Sequence, residues 1–408
     1  MQLKKFAARH IHNAQADVQK SYGEAEHAVL NLDAFKAAQD EISAWPDYAP
    51  TPLIRLPGLA NSLGLGALYQ KDEGKRFDLK SFKALGGAYA VFRLLQQILH
   101  QEFDLTGVSS AELWSGKYRD KTERVTVAAA TDGNHGRSVA WGAQIFGCHS
   151  KIYLHSHVGP TREREIAKYG ADIVRVEGSY DESVRQCAVD ADANGWHLVA
   201  DTTAGGGRED LPRLVMQGYT ILVQEMLDQM PNGKPPTHIF VPGGVGGIAA
   251  AVAAHIGETF GTGRPRVIVV EPDKADCILR SIAADKLTAV EGELDTFMAC
   301  LSAGEVSPLA WPVIRHHVDD VLSIPDEAAV ETMRLLANGV AGDQAVVAGE
   351  SGVAAMAGII AAALDSELRQ ALELTEKSSA VAIGTEGATD AQAYEQVVGK
   401  AAHLIEAA

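Results

Sequence analysis

The sequence predicts an α/β protein made of two open parallel-sheet domains, and three observations carry that prediction. Strand-like apolar runs alternate with helix-like segments through most of the chain. Glycine- and proline-rich loops split this alternation into two series. The 408 residues suit two or three domains better than one, at about 150 residues each.

The first series begins at "VTVAAAT" (125–131), an apolar β-forming run, followed by the helix-like "NHGRSVAWGAQIFG". Then come the strand "SKIYLHS", the helix "TREREIAKYG", the strand "DIVRVEG", the helix "DESVRQCAVDADANG" and the strand "HLVADT". Such repetition calls for a parallel sheet covered by helices. In the second series a helix spans 211–229, a strand 238–242, a helix 247–260 and a strand 266–271; the strand "SSAVAIG" follows at 378–384. "TAGGGREDLP" (203–212) and "PNGKPP" (231–236) are the loops around the join. A cleft between two such units is the expected active site, because ligands of open α/β sheets bind outside the carboxyl ends of the strands.

Composition narrows the function classes. Hydrophobic residues make up 46% of the chain and charged residues 22%, as in a globular protein with a large core. A formal charge of −17 with no offsetting basic run argues against nucleic acid as a partner. The start "MQLKKFAARHIHNAQAD" has no apolar stretch of signal length, and no run approaches 18 uninterrupted apolar residues. No membrane partner is therefore expected, and the chain reads as cytoplasmic. Cys148, Cys187, Cys277 and Cys300 form no C-x-x-C pair, which disfavours a zinc site or a disulfide framework. His316, His317, Asp319 and Asp320 are spaced poorly for one metal ion, so no metal is expected.

"FVPGGVGGIAAAVAAHI" (240–256) runs from an apolar strand through a glycine turn into an alanine-rich helix. Three readings are open from these residues. Gly244-x-Gly246-x-x-Ala249 fits a dinucleotide fingerprint, with Glu271 as the ribose-binding acid. The same turn can cradle one phosphate monoester with backbone N–H groups at a helix start. A close helix–strand crossing that merely needs glycine is the third.

"KDEGKRFDLKSFKALGGAYAVFRLL" (71–95) places Lys83 in the first turn of a helix, since apolar residues resume at helical spacing from Phe82. A helix N-terminus disfavours an ammonium and so lowers a lysine's pKa. A partly neutral amine is what Schiff-base chemistry needs. Most lysines at helix starts are simply solvated.

"SFKALGG" resembles the lysine motif of the fold-type II pyridoxal-phosphate enzymes, the tryptophan synthase β and serine/threonine dehydratase group. The block at 71–90, with "PTPL" (50–53), "TDGNHGR" (131–137), "MQGY" (216–219), the glycine turn, "GESG" (349–352) and "TEGATD" (385–390), is similar to the diaminopropionate ammonia-lyase branch of that group. The motifs follow the family's order over most of the chain. The fold then implied is fold type II, with 1–76 and 196–408 as a large cofactor-binding domain and 77–195 as a small domain. The cofactor implied is pyridoxal 5'-phosphate, and the partners are a small amino-acid substrate and, as a homodimer, a second copy of the chain.

The resemblance also assigns roles. Gly243, Gly244, Val245, Gly246 and Gly247 wrap the cofactor phosphate, Lys83 holds its aldehyde as an imine, and Glu271 becomes an ordinary strand-end acid. Phe82 packs on the pyridine ring, Asn134 meets the ring hydroxyl, and Thr385 faces the pyridine nitrogen. Ser81, Thr131, Gly133 and His135 bind substrate, with backbone N–H groups of the 131–135 loop facing its carboxylate. Asp132 and Asp201 are catalytic and substrate-binding: a cationic β-ammonium is attracted to a carboxylate at about 4 Å by roughly 4 kcal/mol at an effective dielectric near 20. The implied reaction is α,β-elimination of 2,3-diaminopropionate to pyruvate and two ammonia, with Lys83 and Asp132 as bases on opposite faces and Asp201 steering the β-amine. "DTTAGGGREDLPRLVMQGY" departs from the family in its three glycines, so an N-substituted diaminopropionate, serine or threonine is the alternative substrate. A nicotinamide oxidoreductase and a non-catalytic pyridoxal-phosphate protein are the alternatives of other classes.

Overall fold

The computed structural model describes residues 3–19, 21–131, 133–156, 158–202, 209–292 and 294–407. Its strands among these residues are β1 (Arg9–His12), β2 (Leu53–Arg55), β3 (Ala67–Asp72), β4 (Thr126–Ala130), β5 (His149–His155), β6 (Asp172–Val176), β7 (His197–Leu198), β8 (His238–Pro242), β9 (Arg266–Pro272), β10 (Asp320–Ile324) and β11 (Ser379–Gly384). They form a seven-stranded sheet in the order β1-β10-β9-β8-β11-β3-β2 and a four-stranded sheet in the order β6-β5-β4-β7. The chain divides into two compact units, one of Met1–Leu32, Pro50–Ser81 and Leu222–Ala408, the other of Asp33–Ala49 and Phe82–Ile221.

In the larger unit the five inner strands of the sheet are parallel. The edge strands β1 and β2 run antiparallel to their neighbours. The predicted parallel sheet thus holds for the interior. Strands β8 and β10 are buried along their whole length, as strands covered on both faces are. The helix Ala354–Leu364 is apolar all round and buried from Ala354 to Ala363. Gly358 lets it lie close on β9, since a Cβ there would sit 2.6 Å from Val270 Cγ2.

The smaller unit holds the four-stranded sheet, parallel throughout. The helices Lys83–Phe103 and Asn134–Phe146 pack on one another. Ser138 Oγ accepts the N–H of Ala88 (3.1 Å), and a Cβ on Gly142 would sit 2.7 Å from Ala88 Cα. Two stretches outside 77–195 group here. Residues 33–49 bring Trp45 edge-on to Trp141 and Phe146. Residues 196–221 bring β7 beside β4 and Gly218 against the Leu85 carbonyl. Both attachments join residues distant in sequence, so local pattern gives no sign of them. No helix among the described residues is long and apolar enough to cross a membrane.

Candidate active site

In the smaller unit, Lys83 is the first residue of the helix Lys83–Phe103. Its Nζ donates to Asp201 Oδ2 at 2.5 Å, and both side chains are only 18% exposed. Burial by itself would raise the Asp201 carboxyl; the Lys83 ammonium overrides it and holds the carboxyl well below the usual range. The carboxylate therefore opposes the helix-start effect expected at Lys83. Two aromatic rings flank the ammonium, Phe82 at 5.3 Å and Tyr219 at 5.7 Å from Nζ to ring centroid. The rings also touch each other, with centroids 4.6 Å apart.

Tyr219 reaches this position because the facing helix presents glycine. A Cβ on Gly86 would overlap Tyr219 Cε1 and lie 2.7 Å from the Val215 carbonyl oxygen. The glycines of "LGGAYA" are thereby explained: Gly86 admits the helix Asp210–Gln229, and Gly87 admits Ser138. Tyr219 is a site residue that sequence reasoning missed, although "MQGY" had marked its position.

The "TDGNHG" loop starts the helix Asn134–Phe146. Thr131 Oγ1 accepts the N–H of Gly133 (3.0 Å) and of Gly136 (3.1 Å), while the Thr131 N–H donates to the Tyr153 carbonyl. These donors are committed to capping and to the sheet. Asn134 Oδ1 accepts from Arg137 Nη2 at 3.1 Å. His135 is buried, and its Nε2 donates to the Val199 carbonyl at 2.8 Å. Burial lowers the His135 pKa, Asp201 acts to raise it and Lys83 to lower it, so the ring is neutral. Asp132 and the glycines 205–207 lie outside the described residues.

The larger unit carries the glycine turn between β8 and the helix Gly247–Phe260. Gly243 donates to the Val270 carbonyl and Gly246 to the Gly243 carbonyl. The N–H groups of Gly244, Val245 and Gly247 have no hydrogen-bond partner among the described residues. Gly244 (φ +57°) and Gly246 (φ +94°) adopt left-handed backbone, which glycine alone takes at little cost. Such a turn offers three unused donors at a helix N-terminus, suited to a compact dianion. Glu271 rules against the dinucleotide reading. A ribose-binding acid must be open at its strand end, whereas Glu271 is fully buried and accepts the N–H groups of Ile278 and Leu279 at 2.9 Å each. Burial pushes its carboxyl up to about 8. Its Cγ lies 2.7 Å from where a Cβ on Gly243 would stand, so it fits against the base of the turn.

Thr385 is buried just after β11. Its neighbour Glu386 accepts the Ser351 N–H (3.1 Å) and the Thr389 hydroxyl (3.2 Å), and Ser81 forms a β-bridge with Glu386. "GESG" therefore wraps the segment that carries Thr385. The "KDEGKRF" and "PTPL" motifs also have a physical reading. Arg76 donates to both Glu73 (2.9 Å) and Glu225 (2.7 Å), Lys71 donates to Glu225 (2.7 Å), and the Thr51 hydroxyl to Glu73 (2.5 Å). This buried network of two cations and two anions is structural. Asp319 is held by both arms of Arg264, Asp320 pairs with Arg266, and His316 with Glu26. Among the described residues no cluster of three or more His, Cys, Asp or Glu could hold a metal ion.

Residues 44–386 match the family model described as "Pyridoxal-phosphate dependent enzyme". The chain is similar to the diaminopropionate ammonia-lyase of Escherichia coli (strain K12), at 37% identity over 88% of this chain and 89% of the relative. It is similar to that of Salmonella typhimurium (strain LT2) at 35% identity, over 86% of this chain and 89% of the relative. Its structure resembles that of the E. coli diaminopropionate ammonia-lyase in complex with an aminoacrylate-PLP azomethine reaction intermediate, with a TM-score of 0.86 at 33% identity, covering 97% of this chain and 98% of the other.

Proposed function

The chain belongs to the pyridoxal-phosphate dependent enzyme family, and from that premise we propose that it eliminates ammonia from 2,3-diaminopropionate, releasing pyruvate and a second ammonia. The observation that carries this reading is the Lys83–Asp201 pair: a lysine at a helix start, with a half-buried carboxylate able to take a second amine. The residues suit pyridoxal 5'-phosphate. Gly244, Val245 and Gly247 have unused N–H groups for its phosphate, and Gly243 and Gly246 complete a turn that side chains would obstruct. Lys83 would take its aldehyde, Phe82 would pack on its ring, Asn134 would meet the ring hydroxyl, and Thr385 would face the pyridine nitrogen. When bound, the cofactor supplies the electron sink that makes an amino acid's α-proton acidic.

The chain's own groups do the rest. Lys83 Nζ, once freed, takes the α-proton on one face, and Asp132 takes it on the other when the substrate has the opposite hand. Asp201 draws in the β-ammonium and orients it for departure. The helix start at His135 supplies a donor to the substrate carboxylate, and Ser81, Thr131 and Gly133 contribute to holding the substrate. A hydroxyl at Thr385 does not enforce full protonation of the ring nitrogen, which suits elimination over transamination. A cytoplasmic homodimer accompanies this reading, and light scattering would return twice the chain mass.

The test is pyruvate release from 2,3-diaminopropionate, serine, threonine and other β-substituted amino acids, with borohydride fixation of the cofactor. Diaminopropionate should be the fastest substrate, and the label should map to Lys83. Serine or threonine outrunning it would make the protein a dehydratase; a label elsewhere would remove Lys83 from its role.

A further inference from the structure

Two buried polar atoms beside Asp201 have no hydrogen-bond partner among the described residues, Nδ1 of His135 and Oη of Tyr219. His135 is 4% exposed and Tyr219 1% exposed. Such atoms are costly to leave unmet, so an unmet pair beside a site calls for a ligand. The chemistry of that ligand follows from what each atom can do. A carbonyl only accepts, so the His135 Nε2 bonded to the Val199 carbonyl must carry the ring proton. Nδ1 of the neutral ring then offers a lone pair and no hydrogen. The phenol of Tyr219 can accept through its oxygen and also carries its own hydrogen. Both groups feel the charges of Lys83 and of Asp201, and the Lys83 ammonium also acts on the Tyr219 phenol as a hydrogen-bond donor would.

Lys83 shows what this neighbourhood holds. Its ammonium donates to Asp201 and lies near the ring faces of Phe82 and Tyr219, which favour a cation. An ammonium has three N–H donors and no acceptor. Asp201, His135 Nδ1 and Tyr219 Oη are three acceptors. When Lys83 turns to the cofactor, the same acceptors need a cation in its stead.

We propose that Asp201, His135 and Tyr219 form a subsite for a primary ammonium, and that His135 and Tyr219 thereby select the free β-amine of the substrate over a hydroxyl or an N-substituted amine. This rests on the proposed elimination and names how its leaving group is chosen. A serine hydroxyl brings one hydrogen and no charge, so it cannot meet both the Asp201 carboxylate and the His135 Nδ1 lone pair. An acylated β-nitrogen has one N–H and no charge, and leaves acceptors buried without a donor. Substrates with a blocked β-amine are therefore disfavoured here.

The test uses the holoenzyme and two variants chosen to remove one acceptor each. Tyr219→Phe keeps the ring against Gly86 and Phe82. His135→Gln keeps a donor for the Val199 carbonyl while removing the Nδ1 lone pair. Binding of 2,3-diaminopropionate, 3-N-acetyl-2,3-diaminopropionate and serine is read from the change in cofactor absorbance before turnover, by stopped flow. All three ligands share the α-amine and carboxylate, so differences report the β-group. Each variant should lose about tenfold or more in affinity for diaminopropionate and less than about threefold for the other two, since a hydrogen bond to a charged group is at stake. Equal losses on all three ligands, or none, would reduce His135 and Tyr219 to packing and overturn the subsite. So would a wild type that binds the acetylated ligand as tightly as diaminopropionate. Absence of pyruvate from diaminopropionate on the wild type would instead overturn the elimination, while the absorbance titrations still read the subsite.

Discussion

Asp201→Asn isolates the charge at the centre of the site. Asparagine keeps the volume and one acceptor oxygen, so the neighbours can stay packed. What disappears is the anion that meets an ammonium at 2.5 Å, in a place where both side chains are 18% exposed. For unit charges about 4 Å apart at an effective dielectric near 20, the attraction is roughly 4 kcal/mol. Remaining solvent access and the hydrogen bond that asparagine retains both reduce this loss. A charge-assisted hydrogen bond is worth about 1.5–3 kcal/mol, and we take roughly 2–3 kcal/mol as the net effect. On kcat/KM for 2,3-diaminopropionate this is a fall of about 30- to 150-fold. Serine brings no β-cation, so its kcat/KM should change by less than about tenfold. The measurement is the ratio of the two specificity constants on wild type and variant. Parallel falls for both substrates would show that Asp201 serves the common chemistry and not the β-ammonium, and the reasoning would be refuted.

Four further outcomes are expected. Asp132→Asn should depress turnover of one diaminopropionate enantiomer, the D form, far more than the other; small equal losses would reduce Asp132 to a turn-capping residue. Arg76→Met leaves Glu73 and Glu225 buried around a missing cation and should cost about 3–5 kcal/mol in urea unfolding, so a shift below about 1 kcal/mol would contradict the network's structural role. Gly86→Ala places a Cβ into Tyr219 and 2.7 Å from the Val215 carbonyl oxygen; it should destabilise by about 1–3 kcal/mol and weaken diaminopropionate binding with it. Glu271 is raised in the folded state to about 8, so its stabilising contribution is complete below the unfolded value of about 4.3 and is lost as pH rises through about 8. Glu271→Gln should therefore flatten the decline of the unfolding midpoint across that window, and an unchanged decline would remove Glu271 as its cause.

Much of the chain could be read from pattern because its signals are local. The alternation of apolar runs with helical spacing predicted two α/β units, and the β4–β7 sheet is parallel as that pattern requires. Four glycines in five residues at 243–247 marked a turn, which the structure makes left-handed at 244 and 246, but pattern alone left open whether it holds a ligand or only a close helix–strand crossing. Lys83 at a helix start was legible from the resumption of apolar spacing after Phe82. Charge and hydropathy set the partner classes to consider.

Tertiary structure decided everything that depends on residues far apart in sequence. Lys83 and Asp201 are 118 residues apart, and only the fold makes them an ion pair that opposes the helix-start effect. Glu271 could serve as a ribose ligand or a buried acid until the helix start at Ile278 and Leu279 was seen to claim both of its oxygens. Trp45 and the start of the helix Asp210–Gln229 join the smaller unit through side chains from distant segments. Tyr219 and His135 bear no local mark as acceptors, because an unmet hydrogen bond is a property of a three-dimensional neighbourhood. Sequence periodicity records which face of an element is buried. It does not record what that face is buried against, and the chemistry of this site lies in that second fact.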